Sequence, residues 1–356
     1  MKNDAHLLIE RTEEGRALSR AEAETFMGEL LSGRIATPEI VRMLLALNQR
    51  PISVAELTGF AYVMRKHAAP VFLPDESRPT GMVDTCGTGG DASGTFNIST
   101  AAAIVASAAG ARVAKHGNRA SSSRSGSADV LEALGVNIDL PLVAAGRAVR
   151  EFGLGFLYAP VAHSAARHAA PARREIGKRT VFNLLGPLTN PAGAEAQVLG
   201  VFSAEMLDTV AATLAELGTR RAFVMHGAGG LDEISLAGET LVAEVRNGRV
   251  RRFAVMPEEF GVARAPIEAL SGGSPQKNAQ LIRSLLEAEA GPRLDIVLVN
   301  AAAALVVAGV ADDFRAATTL ARRAITSRAA SEKLDQLKKF SHRHAKAKER
   351  SSDGGK

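Results

Sequence analysis

One stretch of the sequence, residues 83–100, combines glycines with hydroxyl and carboxylate groups and the chain's single cysteine. It reads V-D-T-C-G-T-G-G-D-A-S-G-T-F-N-I-S-T and lies between two apolar segments. Its last residues open a predicted helix. Backbone N–H groups of a glycine-rich turn and of a helix N-terminus bind anions. The stretch therefore predicts a phosphate-binding loop.

Two common phosphate-binding loops do not fit this spacing. Residues 87–92 lack the third glycine of the dinucleotide pattern G-x-G-x-x-G, no acid follows at ribose distance, and the sequence has no G-K-[ST]. Glycines alone would fit a plain turn, but Thr95, Asn97, Ser99 and Thr100 crowd the start of the next helix. They would cap that helix or bind phosphate, and the two roles are compatible.

Two further glycine-containing stretches follow predicted strands. Residues 115–123, K-H-G-N-R-A-S-S-S, supply a lysine, an arginine and three serines, which suits a polyphosphate. Residues 226–235, H-G-A-G-G-L-D-E-I-S, place Asp232 and Glu233 on a third loop. Carboxylates beside a phosphate site usually hold Mg²⁺, a hard cation that prefers oxygen ligands. An isolated acidic pair is more often solvated surface, but the position of this pair favours a metal site.

Strands and helices must position these loops. Residues 7–69 are helical in pattern, with an N-cap expected at Thr37 and a capping box at Ser53. After a proline-punctuated linker, strands alternate with helices, which predicts a mostly parallel sheet with ligands at the carboxyl ends of its strands. The predicted strands are 81–85, 112–115, 155–158, 197–202 and 221–226, and the predicted helices are 99–109, 127–134 and 206–217. Asn247-Gly248 predicts a hairpin inserted in this scheme.

Composition excludes several classes of protein. One cysteine rules out an internal disulfide framework and suits a reducing compartment. Acids near the N-terminus argue against a secretion signal, and the apolar run at 296–310 is too short to span a membrane, so we expect a cytoplasmic protein. The net charge of +5 resides in residues 338–356, and the remainder is neutral. We expect this basic segment to be a solvated, partly disordered tail and not a nucleic-acid-binding arm.

In order along the chain, six motifs resemble those of the anthranilate phosphoribosyltransferase family. They are G-T-G-G-D, N-I-S-T, K-H-G-N-R, S-G-S-A-D-V-L-E-A-L-G, R-T-V-F-N-L-L-G-P-L-T-N-P and G-L-D-E-I-S. The resemblance extends from the N-terminal helices to about Ala330. It implies the nucleoside phosphorylase type of phosphoribosyltransferase fold, an α/β class with a small all-α N-terminal domain and a larger α/β domain whose mostly parallel central sheet is flanked by helices. The corresponding domains are 1–74, joined by helices from about 163–190, then 75–337, and finally the basic tail 338–356.

The resemblance also implies an activity. Members transfer the 5-phosphoribosyl group from phosphoribosyl pyrophosphate to anthranilate, giving N-(5-phosphoribosyl)anthranilate and pyrophosphate in tryptophan biosynthesis. Mg²⁺, two ions per monomer, and a homodimer are implied as well. Two alternatives stay open: a pyrimidine nucleoside phosphorylase, which shares the fold and a similar K-H-G-N-R region, and a transferase-like protein that binds nucleic acid through its basic tail.

Site residues are implied by the matching motif positions. Catalytic roles fall to Lys115, Asp232 and Glu233. The phosphoribosyl pyrophosphate pocket comprises Gly87, Gly90, Asp91, Thr95, Asn97, Ile98, Ser99, Thr100, Lys115, His116, Gly117, Asn118, Arg119, Ala120, Ser121, Ser122, Ser123 and Ser127. Anthranilate contacts Gly87, Asn118 and Arg173, and the metal ligands are Ser99, Asp232 and Glu233.

Some side chains have two interpretations. Arg173 is expected to bind the anthranilate carboxylate, whereas its neighbour Arg174 is expected on the helix surface. His116 and His163 are candidates to accept the amine proton, or else hydrogen-bonded structural histidines. The segment that follows His163 departs from the family, because relatives generally have proline where Ser164 stands. It lies on the expected anthranilate path.

Overall fold

The computed structural model describes residues 4–91, 93–120 and 124–352 of the 356-residue chain, and the side chains of residues 5–344 within those ranges. Its N-terminal part consists of four helices: α1 (Asp4–Glu13), α2 (Arg20–Leu31), α3 (Thr37–Leu47) and α4 (Val54–Lys66). The capping box expected at Ser53 is confirmed, since Ser53 and Glu56 bond reciprocally. The N-cap expected at Thr37 is wrong. Thr37 is the first helical residue, and the Glu39 side chain accepts the N–H of Ala36 at the cap position.

Seven strands form one sheet in the order β3-β2-β1-β4-β5-β6-β7. The strands are β1 (Met82–Asp84), β2 (Arg112–Gly117), β3 (Leu154–Tyr158), β4 (Ala196–Gly200), β5 (Arg221–Gly227), β6 (Thr240–Arg246) and β7 (Arg249–Val255). The first five are parallel, and β6 and β7 run antiparallel at one edge. The predicted mostly parallel sheet is confirmed, and each predicted strand overlaps an observed one.

The predicted hairpin at the sheet edge is also confirmed. It joins β6 to β7 through Asn247 and Gly248, with φ values of 50° and 78°. A two-residue turn with both central residues at positive φ matches the twist of the flanking strands, and Asn-Gly adopts it most readily.

Helices pack on both faces of the sheet, because alternate strand residues enter different apolar clusters. Val198 and Phe223 belong to one cluster, and Leu199 and Val224 to another. The remaining helices are α5 (Ile98–Ala108), α6 (Ser127–Ala133), α7 (Leu142–Phe152), α8 (Ala159–Ala162), α9 (Ala170–Ile176), α10 (Val181–Leu188), α11 (Met206–Glu216), α12 (Pro275–Leu286), α13 (Pro292–Ala308), α14 (Phe314–Thr326) and α15 (Ala329–Ser352). Short 3-10 helices cover Ser164–Ala169, Pro257–Phe260 and Ile267–Leu270.

Helices α9 and α10 pack with the N-terminal helices. Ala172 and Leu185 share an apolar cluster with Phe26 and Phe60 of α2 and α4. The same cluster continues to one face of the sheet through Leu199 of β4. The N-terminal helices and the sheet are therefore connected by continuous apolar packing, with α9 and α10 between them.

The apolar run at residues 296–310 lies in α13, which is buried along most of its length in the core. Among the described helices, none combines the length and the apolar character that crossing a bilayer requires.

The basic C-terminal segment begins as a packed helix. α15 extends through residue 352, Leu337 and Phe340 are buried, and the Ser341 hydroxyl accepts the N–H of Asn137. The expectation of a disordered tail from Lys338 is therefore wrong for residues 338–344, because apolar side chains at helical spacing hold this part of the segment against the α/β domain. Residues 353–356 lie outside the described residues.

Candidate active site

The three glycine-containing stretches leave the carboxyl ends of β1, β2 and β5. The chain order 3-2-1-4-5 reverses between β1 and β4, which makes that gap the topological switch point of the sheet. Open parallel sheets bind ligands outside the carboxyl ends of their strands at such a point. Thr85, Gly87, Ser99, Asp232 and Glu233 line one cavity there.

The glycine loop after β1 is tied to the sheet by its backbone. The N–H of Thr88 donates to the carbonyl of Gly200 at 2.9 Å, and the N–H of Gly89 donates to Asp232 Oδ2 at 2.7 Å. Gly89 and Gly90 have φ values of 63° and 72°, in the left-handed region that residues other than glycine rarely adopt. A Cβ at Gly87 would stand 2.8 Å from Asp232 Oδ2, so the carboxylate approaches bare backbone. The loop needs its glycines for both conformation and close approach.

Three carboxylates converge beside this loop. Ligand oxygens of Asp91, Asp232 and Glu233 lie within 4.8 Å of one another. Asp91 Oδ2 and Glu233 Oε2 are buried without a hydrogen-bond partner among the described residues. Burial and then the charge of Asp91 raise the pKa of Asp232 to about 6, while burial and then the charges of Asp232 and Asp91 raise the pKa of Glu233 well above its usual value. Adjacent carboxylates that lack a cation destabilise each other's charged form.

These residues fit Mg²⁺, since the orphaned oxygens are hard donors and a bound cation would relieve the repulsion. The geometry brings Asp232 and Glu233 together as the sequence suggested and adds Asp91, which the resemblance placed in the donor pocket. Ser99, the third expected ligand, lines the same cavity with a partly exposed side chain.

Lys115 contacts the start of the glycine loop from the neighbouring strand. Its buried ammonium donates to the carbonyl and hydroxyl of Thr85 at 3.0 and 3.1 Å and lies 3.4 Å from the Ser99 hydroxyl. The lysine thus fixes the start of the loop against the first turn of α5. To contact the leaving group directly, as predicted, the ammonium would have to give up the longest of these contacts, the one to the Ser99 hydroxyl, and bind the leaving group instead.

The start of α5 carries the predicted donor-pocket residues Thr95 to Thr100, and it has no side-chain cap. Asn97 stands at the cap position but bonds elsewhere, to the carbonyl of Ser125 at 2.9 Å and to the Asn278 amide at 2.9 Å. Buried Ile98 begins the helix, and the buried hydroxyl of Thr100 has no partner among the described residues. Of the two roles weighed from the sequence, side-chain capping by Asn97 is not observed, and phosphate binding at this helix start stays a prediction.

The loop after β2 is bonded to the helix that follows it, α6. Arg119 forms ion pairs of 2.9 Å with Asp129 and Glu132, and the N–H of Ala120 donates to Asp129 Oδ2. These acids hold the pKa of Arg119 above its usual range. The carbonyl of Asn118 accepts from Ser127 Oγ at 3.3 Å. A contact from the Arg119 guanidinium to phosphate would need it to leave these two acids of α6.

The serines expected in the same loop, Ser121, Ser122 and Ser123, lie outside the described residues. Gly117 ends β2 as a buried residue, and a Cβ there would meet Ser127 Oγ at 2.2 Å. That position therefore requires glycine for packing.

Two histidines face each other on the α10 side of the sheet. The His116 and His163 rings lie 5.2 Å apart in an edge-to-face arrangement, and His116 Nδ1 donates to the carbonyl of Gly186 at 3.0 Å. Nε2 of each ring is buried without a partner among the described residues. Burial lowers the pKa of His116 to about 3 and that of His163 to about 4, so both rings are neutral at pH 7. The His116 side chain therefore belongs to this face and not to the pocket around Lys115.

Arg173 and Arg174 separate as the sequence predicted. The Arg173 guanidinium is partly buried and stands 5.2 Å from the Phe182 ring centroid, and burial lowers its pKa. Arg174 is exposed on the same helix, α9.

A second cluster, Asp84, Cys86 and His116, is structural. Asp84 accepts from Asn190 Nδ2 at 2.8 Å and from the N–H of His116 at 3.1 Å. Burial and then the charge of Asp84 raise the pKa of the Cys86 thiol. The carboxylate is already paired and the thiol stays protonated, so the cluster holds β1 against β2 and α10. In the sequence, the only sign of the contacts of Asp84 with Asn190 and His116 is an acid within the apolar strand segment V-D-T.

Comparisons with known proteins agree with this geometry. Models of the glycosyl transferase family match residues 7–68 (helical bundle domain) and residues 79–331 (a/b domain). Anthranilate phosphoribosyltransferase of Symbiobacterium thermophilum is 48% identical over 336 residues, which is 94% of this chain and 97% of that protein. The chain belongs to the anthranilate phosphoribosyltransferase family.

Solved structures of the family extend the likeness. The anthranilate phosphoribosyltransferase of Thermus thermophilus is 45% identical, with a TM-score of 0.88 over 96% of this chain and all of that one. The Saccharomyces cerevisiae enzyme has been solved with phosphoribosyl pyrophosphate and Mg (26% identity, TM-score 0.83, 91% and 94% coverage). It has also been solved with 4-fluoroanthranilate (25% identity, TM-score 0.84, 96% and 98% coverage). The expected family, fold class and class of enzyme, a glycosyltransferase, are confirmed, and the nucleoside phosphorylase alternative is removed.

Proposed function

We propose that this chain transfers the 5-phosphoribosyl group from phosphoribosyl pyrophosphate to the amine of anthranilate, inverting the configuration at C1 and releasing pyrophosphate. One observation carries the proposal: three carboxylates, two of them with an orphaned oxygen, converge on a glycine loop at the switch point of the sheet. That combination suits a polyphosphate bound through a divalent cation.

Departure of pyrophosphate leaves an oxocarbenium-like centre, so the main task is to stabilise charge on the leaving group. Bound Mg²⁺ would supply positive charge there, held by Asp91, Asp232 and Glu233 with the Ser99 hydroxyl beside them. The chain contributes fixed dipoles: N–H groups of the glycine loop and of the first turn of α5. Dipoles already oriented toward developing charge need no reorganisation during the reaction.

The acceptor needs positioning more than activation. An aromatic amine is neutral at pH 7, and the guanidinium of Arg173 would orient anthranilate through its carboxylate. Because Nδ1 of His116 donates to a carbonyl, its Nε2 carries a lone pair. His116 and His163 are the candidates to accept the proton that leaves the amine nitrogen after the new bond has formed, and a purely structural role is the alternative for each ring.

The direct test follows anthranilate fluorescence with purified protein, phosphoribosyl pyrophosphate and Mg²⁺. We expect loss of signal only when all three are present, with release of one pyrophosphate per anthranilate consumed. No loss, with calorimetric binding of phosphoribosyl pyrophosphate intact, would assign the donor site and reject anthranilate as the acceptor. Binding of duplex DNA that falls steeply with salt and is lost on removing residues 338–356 would instead favour the nucleic-acid alternative.

Three expectations remain predictions: two Mg²⁺ ions per monomer, a homodimer and a cytoplasmic location. The site residues likewise remain assignments to be tested by substitution.

A further inference from the structure

The glycine loop has a contact that the proposed chemistry does not include, made by the arginine that opens the motif R-T-V-F-N-L-L-G-P-L-T-N-P. The guanidinium of Arg179 donates through Nη2 to the carbonyl of Gly90. Its Cζ also lies 4.5 Å from the centroid of the Phe202 ring. Arg179 belongs to the turn between α9 and α10, 89 residues away from Gly90 in sequence.

The turn that carries Arg179 is fixed on the side of the N-terminal helices. The carbonyl of Arg179 accepts from Asn48 Nδ2 at 2.8 Å, and Asn48 is the C-cap of α3. Gly177 ends α9 in the left-handed region with φ of 62°, and the N–H of Thr180 donates to Asn183 Oδ1 at 3.1 Å. The backbone on both sides of Arg179 is therefore held in place by contacts that do not involve its side chain.

On the other side, the loop and Phe202 are tied to the sheet. The N–H of Phe202 donates to Thr88 Oγ1 at 3.2 Å, and the N–H of Thr88 donates to Gly200. The guanidinium thus packs on the ring of a residue that is itself bonded to the loop. A planar guanidinium can stack flat on a ring while it donates a hydrogen bond, whereas an ammonium has no plane with which to stack.

We propose that Arg179 is a positioning residue that joins the donor loop to the acceptor side of the molecule. This proposal rests on the proposed function, because that function assigns the glycine loop to phosphoribosyl pyrophosphate and assigns α9 to anthranilate through Arg173. By holding Gly90, it sets the orientation of two neighbours: Asp91, whose carboxylate belongs to the cluster, and Gly89, whose N–H donates to Asp232. Arg179 need not touch either substrate.

A matched control exists elsewhere on the surface. Arg78 is also an exposed arginine that donates through Nη2 to a glycine carbonyl, that of Gly193, away from the glycine loop. Arg78→Ala therefore removes the same kind of contact without touching the glycine loop.

The experiment measures binding of phosphoribosyl pyrophosphate by calorimetry at fixed Mg²⁺, alongside steady-state kinetics and thermal unfolding. We expect Arg179→Ala to weaken donor binding about tenfold, the usual scale for a lost hydrogen bond from a charged group. Arg179→Lys should fall between wild type and alanine, since it keeps the donor and loses the stack. Asn48→Ala, which touches neither the loop nor Arg173, should weaken donor binding by about threefold because it frees the backbone of Arg179. Arg78→Ala should bind as wild type.

The KM for anthranilate should change less than the donor affinity in every variant. The proposal is overturned if donor binding in Arg179→Ala stays within about twofold of wild type, if Arg78→Ala weakens it equally, or if only the anthranilate KM rises. If the alanine variant unfolds at a lower temperature than wild type, the donor affinity of Arg179→Lys decides the test, because the lysine variant disturbs the fold less. Wild-type protein that binds the donor but does not turn over would contradict the proposed function while leaving this contact testable.

Discussion

The donor and acceptor halves of the site are built in different ways. The donor half lies on loops that leave neighbouring strands and uses backbone N–H groups and crowded carboxylates: Gly89 donates to Asp232, and Asp91 and Glu233 carry orphaned oxygens. The proposed acceptor half uses few groups: a partly buried Arg173 on α9 and two neutral histidines, His116 on β2 and His163 after α8. A polyphosphate needs its charge compensated, whereas anthranilate, whose reacting amine is neutral, needs to be oriented. The two halves should therefore fail in different ways when they are changed.

The largest effect is expected from removing the donor half's charge. Asp232→Asn with Glu233→Gln should lower kcat/KM at least about 10³-fold, because the cation that neutralises the leaving group loses two of its three carboxylates. Initial rates of anthranilate loss at saturating Mg²⁺ check this. Asp208→Asn is the control, since Asp208 is an exposed acid paired with Arg252. Retained activity in the double variant would remove these carboxylates from the mechanism.

The acceptor half should show a separate defect. Arg173→Ala should raise the KM for anthranilate about 30-fold with a smaller change in donor affinity, because a charge-assisted bond to the carboxylate is lost. Arg174→Ala, exposed on the same helix, should behave as wild type. Equal losses of donor and acceptor affinity in Arg173→Ala would break the separation of the two halves.

Crowded carboxylates should cost stability in the metal-free protein. The folded-state pKa of Asp232 is raised to about 6 from 3.8, so its ionisation destabilises the fold as pH rises through that window. Asp232→Asn should therefore raise the free energy of unfolding by about 2 kcal/mol at pH 8 without Mg²⁺. Denaturant unfolding measures it, and the gain should shrink when Mg²⁺ is added. A variant less stable than wild type would mean that the Gly89 contact outweighs the repulsion.

The smallest and most conditional effect concerns the histidines. The pKa of His163 is lowered from 6.5 to about 4, so the unfolded chain binds more protons between those values and stability falls as pH decreases through the window. Relative to His163→Gln, wild type should lose roughly 2 kcal/mol between pH 7.5 and pH 5. A difference independent of pH would mean that the pKa of His163 is the same in the folded and the unfolded protein.

The same contrast explains what sequence could predict. The glycine loop is part of a local strand–loop–helix unit, so its elements could be predicted from residues 83–100, and α5 begins one residue from its predicted start. Its phosphate-binding role stays a prediction. Asp91 was assigned to the pocket but not to the carboxylate cluster, because its convergence with Asp232 depends on how the β1 and β5 loops meet in space.

Contacts between distant segments left little trace in the sequence. Asn190 reaches Asp84 across 106 residues, and Arg179 reaches Gly90 across 89. At the start of the basic segment, Leu337 and Phe340 are buried and lie at helical spacing, but the high density of charge around them favoured a solvated, partly disordered tail. Charge density indicates solvation, whereas two or three apolar residues on one face are enough to pack a helix that already has a partner surface.

Calorimetric titration of phosphoribosyl pyrophosphate with Mg²⁺ into wild type, Asp232→Asn/Glu233→Gln and Arg173→Ala tests the central claim most directly. The account predicts binding to wild type and Arg173→Ala with affinities within about threefold of each other, and at least about 30-fold weaker binding to the double variant. Full-strength binding to the double variant, or its loss in Arg173→Ala, would contradict the assignment of the donor site to the carboxylates at the glycine loop.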